Sequence, residues 1–405
     1  MQLTRRGFVS GSSLATMAAL AAQPIFSACS LAQAARPPKL LKMNGKAELI
    51  VLGENPLVAE TPAHLLDGDV TPTEAFFIRN NGLPPEPTAD PDTWMLAVDG
   101  EVQKPLSLRL GDIKKRFRKL DYALQLECGG NGRSAFDPPA RGNQWTAGGV
   151  GCARWGGAAL ADVLSAAGLK PTAKYTAHYG ADTPLRGGPA GPALSRGVRL
   201  AKAMEPHTLL AYEMNGKPIP IIHGGPLRLI VPGWPASASH KWLTRIWIRD
   251  REHDGPGMTG TSYRVPTVPG IPGDPHFNAT GMRILESMPV RSIITNMRDG
   301  QRLPAGTREL DLRGHAWAGE DTAASVQVSA DYGQTWAQAE VSAPVNRYAW
   351  QRWTATLRLP SHGYFELCVR ATDSRGKTQP PTAAFWNPQG YGANSWHRVR
   401  VVVAG

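Results

Sequence analysis

Along much of this chain apolar and polar residues alternate, a pattern that predicts strands rather than long helices. From about residue 288 the alternation is regular. Residues 290–295, 308–318, 324–329, 338–341, 349–357 and 364–373 read as short strands, and residues 395–401 as a closing one. Turns rich in Asn, Gly, Ser and Pro separate them, Asp331-Tyr332-Gly333 among them. That rhythm predicts an immunoglobulin-like β-sandwich over residues 286–405, with a boundary near 283–290. Upstream the pattern is mixed. Residues 108–117 and 157–167 have helical spacing. Residues 94–106 alternate about a turn at Asp99-Gly100, and residues 74–82 form a short strand that breaks at Asn80-Asn81-Gly82. Residues 214–231 predict a hairpin at Asn215-Gly216 followed by a Gly-Gly-Pro turn and a strand. Residues 177–182 read as a strand entering a loop, 184–199 as a Gly/Pro-rich loop, and 35–72 as an extended arm. The expected fold class is α+β: a mixed α/β domain over residues 35–285, followed by the sandwich.

The first 34 residues do not belong to that pattern. Thr4-Arg5-Arg6-Gly7-Phe8-Val9 is a twin-arginine sequence, followed by an Ala-rich apolar stretch and the cleavage-site pattern Ala32-Gln33-Ala34. Twin-arginine export carries folded proteins, commonly with a cofactor already inserted, so a periplasmic destination and a large cofactor are expected. Phe26-Ser27-Ala28-Cys29 weakly resembles a lipoprotein box, which leaves a lipid anchor at Cys29 open.

Composition narrows the function. The chain is 42% hydrophobic and 19% charged, enough apolar content for real cores. No apolar run downstream of the leader is long enough to span a bilayer. The formal charge is +11, and removing Arg5 and Arg6 with the leader leaves +9. Such a surface attracts anionic substrates or acidic partners. Lys and Arg do not cluster into a nucleic-acid patch. Excluding Cys29, three cysteines remain: Cys128, Cys152 and Cys368. An odd number in an oxidising compartment leaves at least one thiol unpaired. No C-x-x-C-H run occurs for a c-type haem, and no Cys/His set has zinc or iron–sulfur spacing.

Cys128 is the privileged one. A run of strand formers over residues 124–127 ends there and opens into Gly129, Gly130 and Gly132, which is how a strand delivers a thiol to a loop mouth. Arg133, five residues on, supplies positive charge that favours thiolate. The competing reading is an inert buried cysteine, and Cys152 is read as structural. Arg79 sits where its strand ends, facing either a pocket or solvent beside a turn. Asp182 lies at a loop mouth as a hydrogen-bond acceptor. His223, Gly224, Gly225 and Arg228 at a strand mouth suit a phosphate, through backbone N–H groups and guanidinium. Ser239-His240-Lys241-Trp242 adds a second basic site, so an anionic cofactor tail is expected.

With these residues assembled, the chain resembles the sulfite oxidase family of molybdenum-cofactor enzymes, in particular its exported bacterial sulfite dehydrogenases. The motifs are FFIRNN (76–81), LECGGNGR (126–133), ARWGGAALADVL (153–164), YEMNGKP (212–218), HGGPLRLIVPG (223–233), KWL (241–243), SADYGQTW (329–336) and WHRVRV (396–401). The resemblance implies a molybdenum–molybdopterin cofactor with Cys128 as the protein thiolate on the metal. It places the cofactor-binding positions on Phe77, Arg79, Asn80, Asn81, Asp182, His223, Arg228, Ser239 and Lys241. It implies a substrate pocket with Arg79, Arg133, Tyr263 and, from the second domain, Arg398. The implied reaction is oxidation of sulfite to sulfate by oxygen-atom transfer, with single electrons passed to a c-type cytochrome and the sandwich forming a homodimer. Asn81 stands where many relatives have histidine, and the haem domain of animal enzymes has no counterpart here. The rival readings are a sulfane dehydrogenase subunit of a thiosulfate-oxidising complex, an exported binding protein without catalysis, and a sulfoxide reductase.

Overall fold

A computed structural model describes residues 37–185, 191–278 and 280–405. The expected leader and the Cys29 anchor lie outside the described residues. At the centre of the first half is an antiparallel sheet. Lys119–Glu127 pairs with Val150–Ala159, which pairs with Leu209–Met214; Arg228–Ile230 and Lys217–Pro218 share the latter's far edge. The Asn215-Gly216 hairpin forms as expected, with φ of 52° and 75° at its two turn residues. Both values are left-handed, as a tight hairpin turn matching strand twist requires.

A second five-stranded sheet runs Leu106–Arg109, Met95–Gly100, Leu243–Arg249, Tyr175–Gly180 and Arg196–Arg199. Only the Met95–Gly100 and Leu243–Arg249 pair is parallel. Two short helices follow strands directly, at Leu110–Arg116 and Leu160–Ala167. The second buries Leu160, Val163, Leu164 and Ala167, the i, i+3, i+4, i+7 stripe that docks a helix on a core. Their apolar faces meet Val98, Leu210, Leu229 and Ile246 from both sheets in one cluster. Each such side chain, fully buried, contributes roughly 1.5–3 kcal/mol.

Three local expectations change. The helix expected over 157–167 begins at Leu160, because Gly157, Ala158 and Ala159 stay in the strand paired with Leu209–Met214. The loop expected over 184–199 ends in a real strand, Arg196–Arg199, paired with Tyr175–Gly180; residues 186–190 are outside the description. The extended arm over 35–72 contains a hairpin, Ile50–Glu54 with Leu57–Glu60, to which Ile78–Arg79 adds a third strand. Cys152 lies in mid-strand opposite Gln125, and burial pushes its thiol up to about 12, as a structural cysteine requires.

The second half is a β-sandwich. One sheet orders Arg291–Ile294, Glu309–Trp317, Gln351–Arg358 and Glu340–Val341. The other orders Gln301–Leu303, His397–Val403, Gly363–Asp373, Ala323–Ser329 and Ala337–Gln338. Leu310, Leu312, Val326, Val328, Trp353, Leu367 and Val401 fill the space between them. A separate cluster joins the halves: Leu66, Ala147, Val150 and Cys152 pack against Ile293, Trp317, Ala349 and Trp350. No helix among the described residues is long and apolar enough to cross a membrane.

Candidate active site

The strand Lys119–Glu127 delivers Cys128 to the wall of a cleft. The thiol-bearing loop is tightly pinned. Cys128 N donates to Gly149 O at 2.8 Å, Asn131 N donates to Cys128 O at 2.9 Å, and Asn131 Oδ1 accepts from Gly149 N at 3.0 Å. Gly132 is required there, and Gly130 is closely covered. A Cβ on Gly130 would lie 2.3 Å from the Arg133 guanidinium, and Gly132 adopts a left-handed φ of 82° with Arg291 2.7 Å from where its Cβ would stand.

From Cys128 the cleft runs to a strongly basic end. Phe76 and Phe77 form part of the wall, stacked on each other at 5.1 Å and held edge-on by Trp155 and Trp145. The strand Ile78–Arg79 brings in Arg79, Asn80 and Asn81. His223 closes a 3-10 turn, and Gly224 follows in the left-handed region at φ 99°. Lys241 Nζ donates to Asn80 Oδ1 at 2.6 Å and to Ile222 O at 2.7 Å. Arg228 donates to His223 O at 2.5 Å and to Ser239 O at 2.9 Å, lies over the Trp155 ring, and leaves Nε without a partner. Lys46, from the arm, sits 3.0 Å from His223 Nε2. Ser239 Oγ accepts from Val231 N at 2.9 Å.

These charges repel one another in a dry site. Burial lowers the Arg228 guanidinium to about 9 and the Lys46 amine to about 8, and holds the Lys241 amine well below its ordinary value. His223 is kept neutral by burial, with Lys46, Lys241 and Arg228 adding to the effect. Asp182 is the one carboxylate lining the cleft among the described residues, and desolvation raises its pKa although Lys241 opposes the shift. Asn80 Nδ2, Ser237 Oγ and His240 Nδ1 are likewise buried without partners. A region with this many unpaired donors and cations around it fits an anionic, hydrogen-bond-rich group. A phosphorylated pterin is such a group, and a thiol at the other end suits a soft metal. No cluster of three or more His, Cys, Asp or Glu with metal-holding geometry exists among the described residues.

Cys128, Phe77, Arg79, Asn80, Asn81, Asp182, His223, Arg228, Ser239, Lys241 and Tyr263 all line this one cleft. Two residues expected in the substrate pocket do not. Arg398 is turned outward by the alternation of His397–Val403, pairs with Glu366 at 3.4 Å, donates to Pro381 O at 2.9 Å, and leaves nearly half its side chain exposed at 45%. Arg133 is buried, but its guanidinium is spent on Gln389 O at 2.7 Å and Asn143 O at 2.8 Å. The second half reaches the site through a different segment. Tyr391 stacks on Tyr263 with ring centres 4.7 Å apart, and Gly392 N donates to Gly129 O at 3.0 Å, next to the thiol. Tyr391 had no signal in the pattern: it lies in an irregular Gly-Tyr-Gly loop. His240 and Trp242 also line the cleft and were missed as site residues, although both sit inside the motif that contributed Lys241.

Comparison with known proteins agrees with this geometry. Residues 83–257 match the family described as oxidoreductase molybdopterin binding domain, and residues 282–404 the Mo-co oxidoreductase dimerisation domain. Chicken (Gallus gallus) sulfite oxidase is 36% identical over 362 residues, covering 86% of this chain and 77% of its own length. Rat (Rattus norvegicus) mitochondrial sulfite oxidase is 34% identical over 381 residues, covering 88% of this chain and 66% of its own length, so the chain spans just under two thirds of that relative. Among solved structures, the sulfane dehydrogenase SoxCD from Paracoccus pantotrophus superposes with a TM-score of 0.70 at 26% identity, over 94% of both chains. A thiol-bearing loop, a basic cleft and a sandwich matched in order across almost the whole length leave one assignment: the chain belongs to the sulfite oxidase family of molybdenum-cofactor enzymes.

Proposed function

We propose that the protein is an exported, periplasmic sulfite dehydrogenase that oxidises sulfite to sulfate and passes electrons one at a time to a c-type cytochrome. The cofactor is molybdenum–molybdopterin, which when bound supplies the redox and oxygen-transfer chemistry. The observation that carries the reading is the polarity of the cleft: one thiol, Cys128, at one end and Arg228, Lys241 and Lys46 at the other. Cys128 ligates the metal. Arg228 and Lys241 hold the phosphate, the cations neutralising it. Arg79 and Tyr263, both lining the cleft, serve the sulfite, the guanidinium offsetting its charge and the hydroxyl donating to its oxygens. Arg133 acts one step removed, by pinning Gln389 and so the Tyr391 loop. The match of residues 282–404 to a dimerisation domain supports a homodimer, and the twin-arginine sequence supports export with the cofactor in place.

The likeness to a sulfane dehydrogenase over 94% of both chains favours one second reading, a carrier-bound sulfur substrate. Sulfite-dependent reduction of cytochrome c and of ferricyanide by the molybdenum-loaded protein tests the first. Rapid turnover with both acceptors supports free sulfite. Silence with both, at one molybdenum per chain, overturns it in favour of carrier-bound sulfur.

A further inference from the structure

Arg196 is a cation with nowhere to put its charge. It is fully buried, yet no carboxylate among the described residues pairs with it. Its Nη1 donates to Gly257 O at 2.7 Å, while Nε and Nη2 have no partner. Burying an uncompensated charge costs several kcal/mol, and such groups persist where function requires them. The strand Arg196–Arg199 that carries it pairs with Tyr175–Gly180, two residues short of Asp182. Leu194, two residues before it, lines the cleft.

What the guanidinium does touch is Tyr263. Its central carbon lies 4.5 Å from the centre of that ring, a close cation–π approach. Tyr391 stacks on Tyr263 at 4.7 Å with planes 14° apart, and Arg133 lies over Tyr391 at 5.4 Å. Arginine, tyrosine, tyrosine and arginine thus form a ladder joining the two halves of the molecule. Arg196 also grips the segment leading to Tyr263, through Gly257 O. That segment needs holding, because Tyr263 has a left-handed φ of 48°, strained for a bulky side chain.

We propose that Arg196 is a positioning residue for Tyr263 and the fixed positive charge that draws an oxyanion into the adjoining cleft. The proposal rests on the reading of the cleft as the site of a sulfur oxyanion. A guanidinium is suited to both tasks, since its flat face stacks on a ring while its charge stays delocalised and permanent. Removing the charge weakens anion binding, and removing the flat face loosens the ring.

The test uses the molybdenum-loaded full chain and two readouts, sulfite kinetics and calorimetric titration with sulfate. Arg196→Gln should raise KM for sulfite and the sulfate Kd about tenfold each, one charge's worth at this range. Arg196→Lys, which keeps charge but not the flat face, should hold sulfate affinity within about threefold while kcat falls. Unchanged KM and sulfate affinity in Arg196→Gln overturn the proposal. If that variant does not fold, Arg196→Lys decides alone: intact affinity with reduced kcat supports the ring-positioning role, and a lowered Tm with unchanged kcat and KM overturns it. Failure of the wild-type enzyme both to oxidise sulfite and to bind sulfate overturns the functional reading itself, and the oxyanion assigned to Arg196 with it.

Discussion

Cys128 is held by backbone hydrogen bonds on both sides, so its side chain can be exchanged without loosening the loop. Cys128→Ser should therefore fold with a Tm close to wild type while losing sulfite oxidation by at least about a hundredfold, because a hydroxyl is a poor ligand for a soft metal. Thermal melting and steady-state turnover on one preparation check both halves of that statement. Lys241→Met should behave differently. It removes a buried cation, which relieves repulsion with Arg228 and Lys46, but it also strips Asn80 Oδ1 and Ile222 O of their donor. The expected outcome is a modest change in apoprotein stability and about a tenfold loss of molybdenum per chain, read by elemental analysis. The residues that were legible in sequence are those in contiguous motifs with their own turn chemistry: Cys128 among glycines, Arg79 before Asn-Asn-Gly, His223 and Arg228 about Gly-Gly-Pro. Arg398 stands outside the cleft because strand alternation, which was itself visible, points it to solvent. Tyr391 and Arg196 were illegible because each meets Tyr263 across a long sequence separation.

Among the elements, the sandwich strands were the easiest to read where one face is buried and the period of two survives, as in Leu310 and Leu312 against exposed Glu309, Asp311 and Arg313. Arg196–Arg199 was missed for the opposite reason: a four-residue strand with Val198 as its one apolar side chain carries no period to detect. An arginine from the strand Arg291–Ile294 adds a polar tie to the apolar joint between halves. Arg291 donates to Asn131 O at 2.8 Å and Ala393 O at 2.6 Å, and its Nε lies 3.4 Å from the carboxylate of fully buried Glu127, which Trp317 Nε1 also reaches at 2.7 Å. It ties the thiol loop, the Tyr391 loop and the sandwich together. Arg291→Met leaves Glu127 as an unpaired buried carboxylate, at a cost of roughly 3–5 kcal/mol. Urea unfolding should show that loss, and Arg291→Met with Glu127→Gln should recover part of it, since the second change removes the stranded charge.

For the molecule as a whole, acid should be more damaging than the net charge suggests. His315, stacked on Trp350 at 4.1 Å in the joint between halves, and His253, bonded to Ser195 at 2.7 Å, are both held neutral by burial, with pKa lowered to about 4. The unfolded chain takes up those protons from about pH 6.5 downward, while the folded one refuses them until about 4. Stability present above pH 6.5 is therefore lost as pH falls through that window, by up to about 1.4 kcal/mol per pH unit for each histidine. Tm should drop measurably between pH 6.5 and 4.5, and His315→Gln should flatten the slope.

The basic end of the cleft has a consequence for how any preparation of this protein behaves. Lys46, Arg228 and Lys241 crowd around a neutral histidine, with Glu74 acting against the first and Asp182 against the last, so a chain without its anion is internally pressurised and one with it is not. Ligand that binds only the folded form raises the unfolding temperature in proportion to the logarithm of its excess over Kd. A slowly dissociating anion does so molecule by molecule rather than on average. A partially matured sample should then melt in two steps, the lower one belonging to empty chains and the upper to filled ones, and the ratio of their amplitudes would serve as a direct census of maturation.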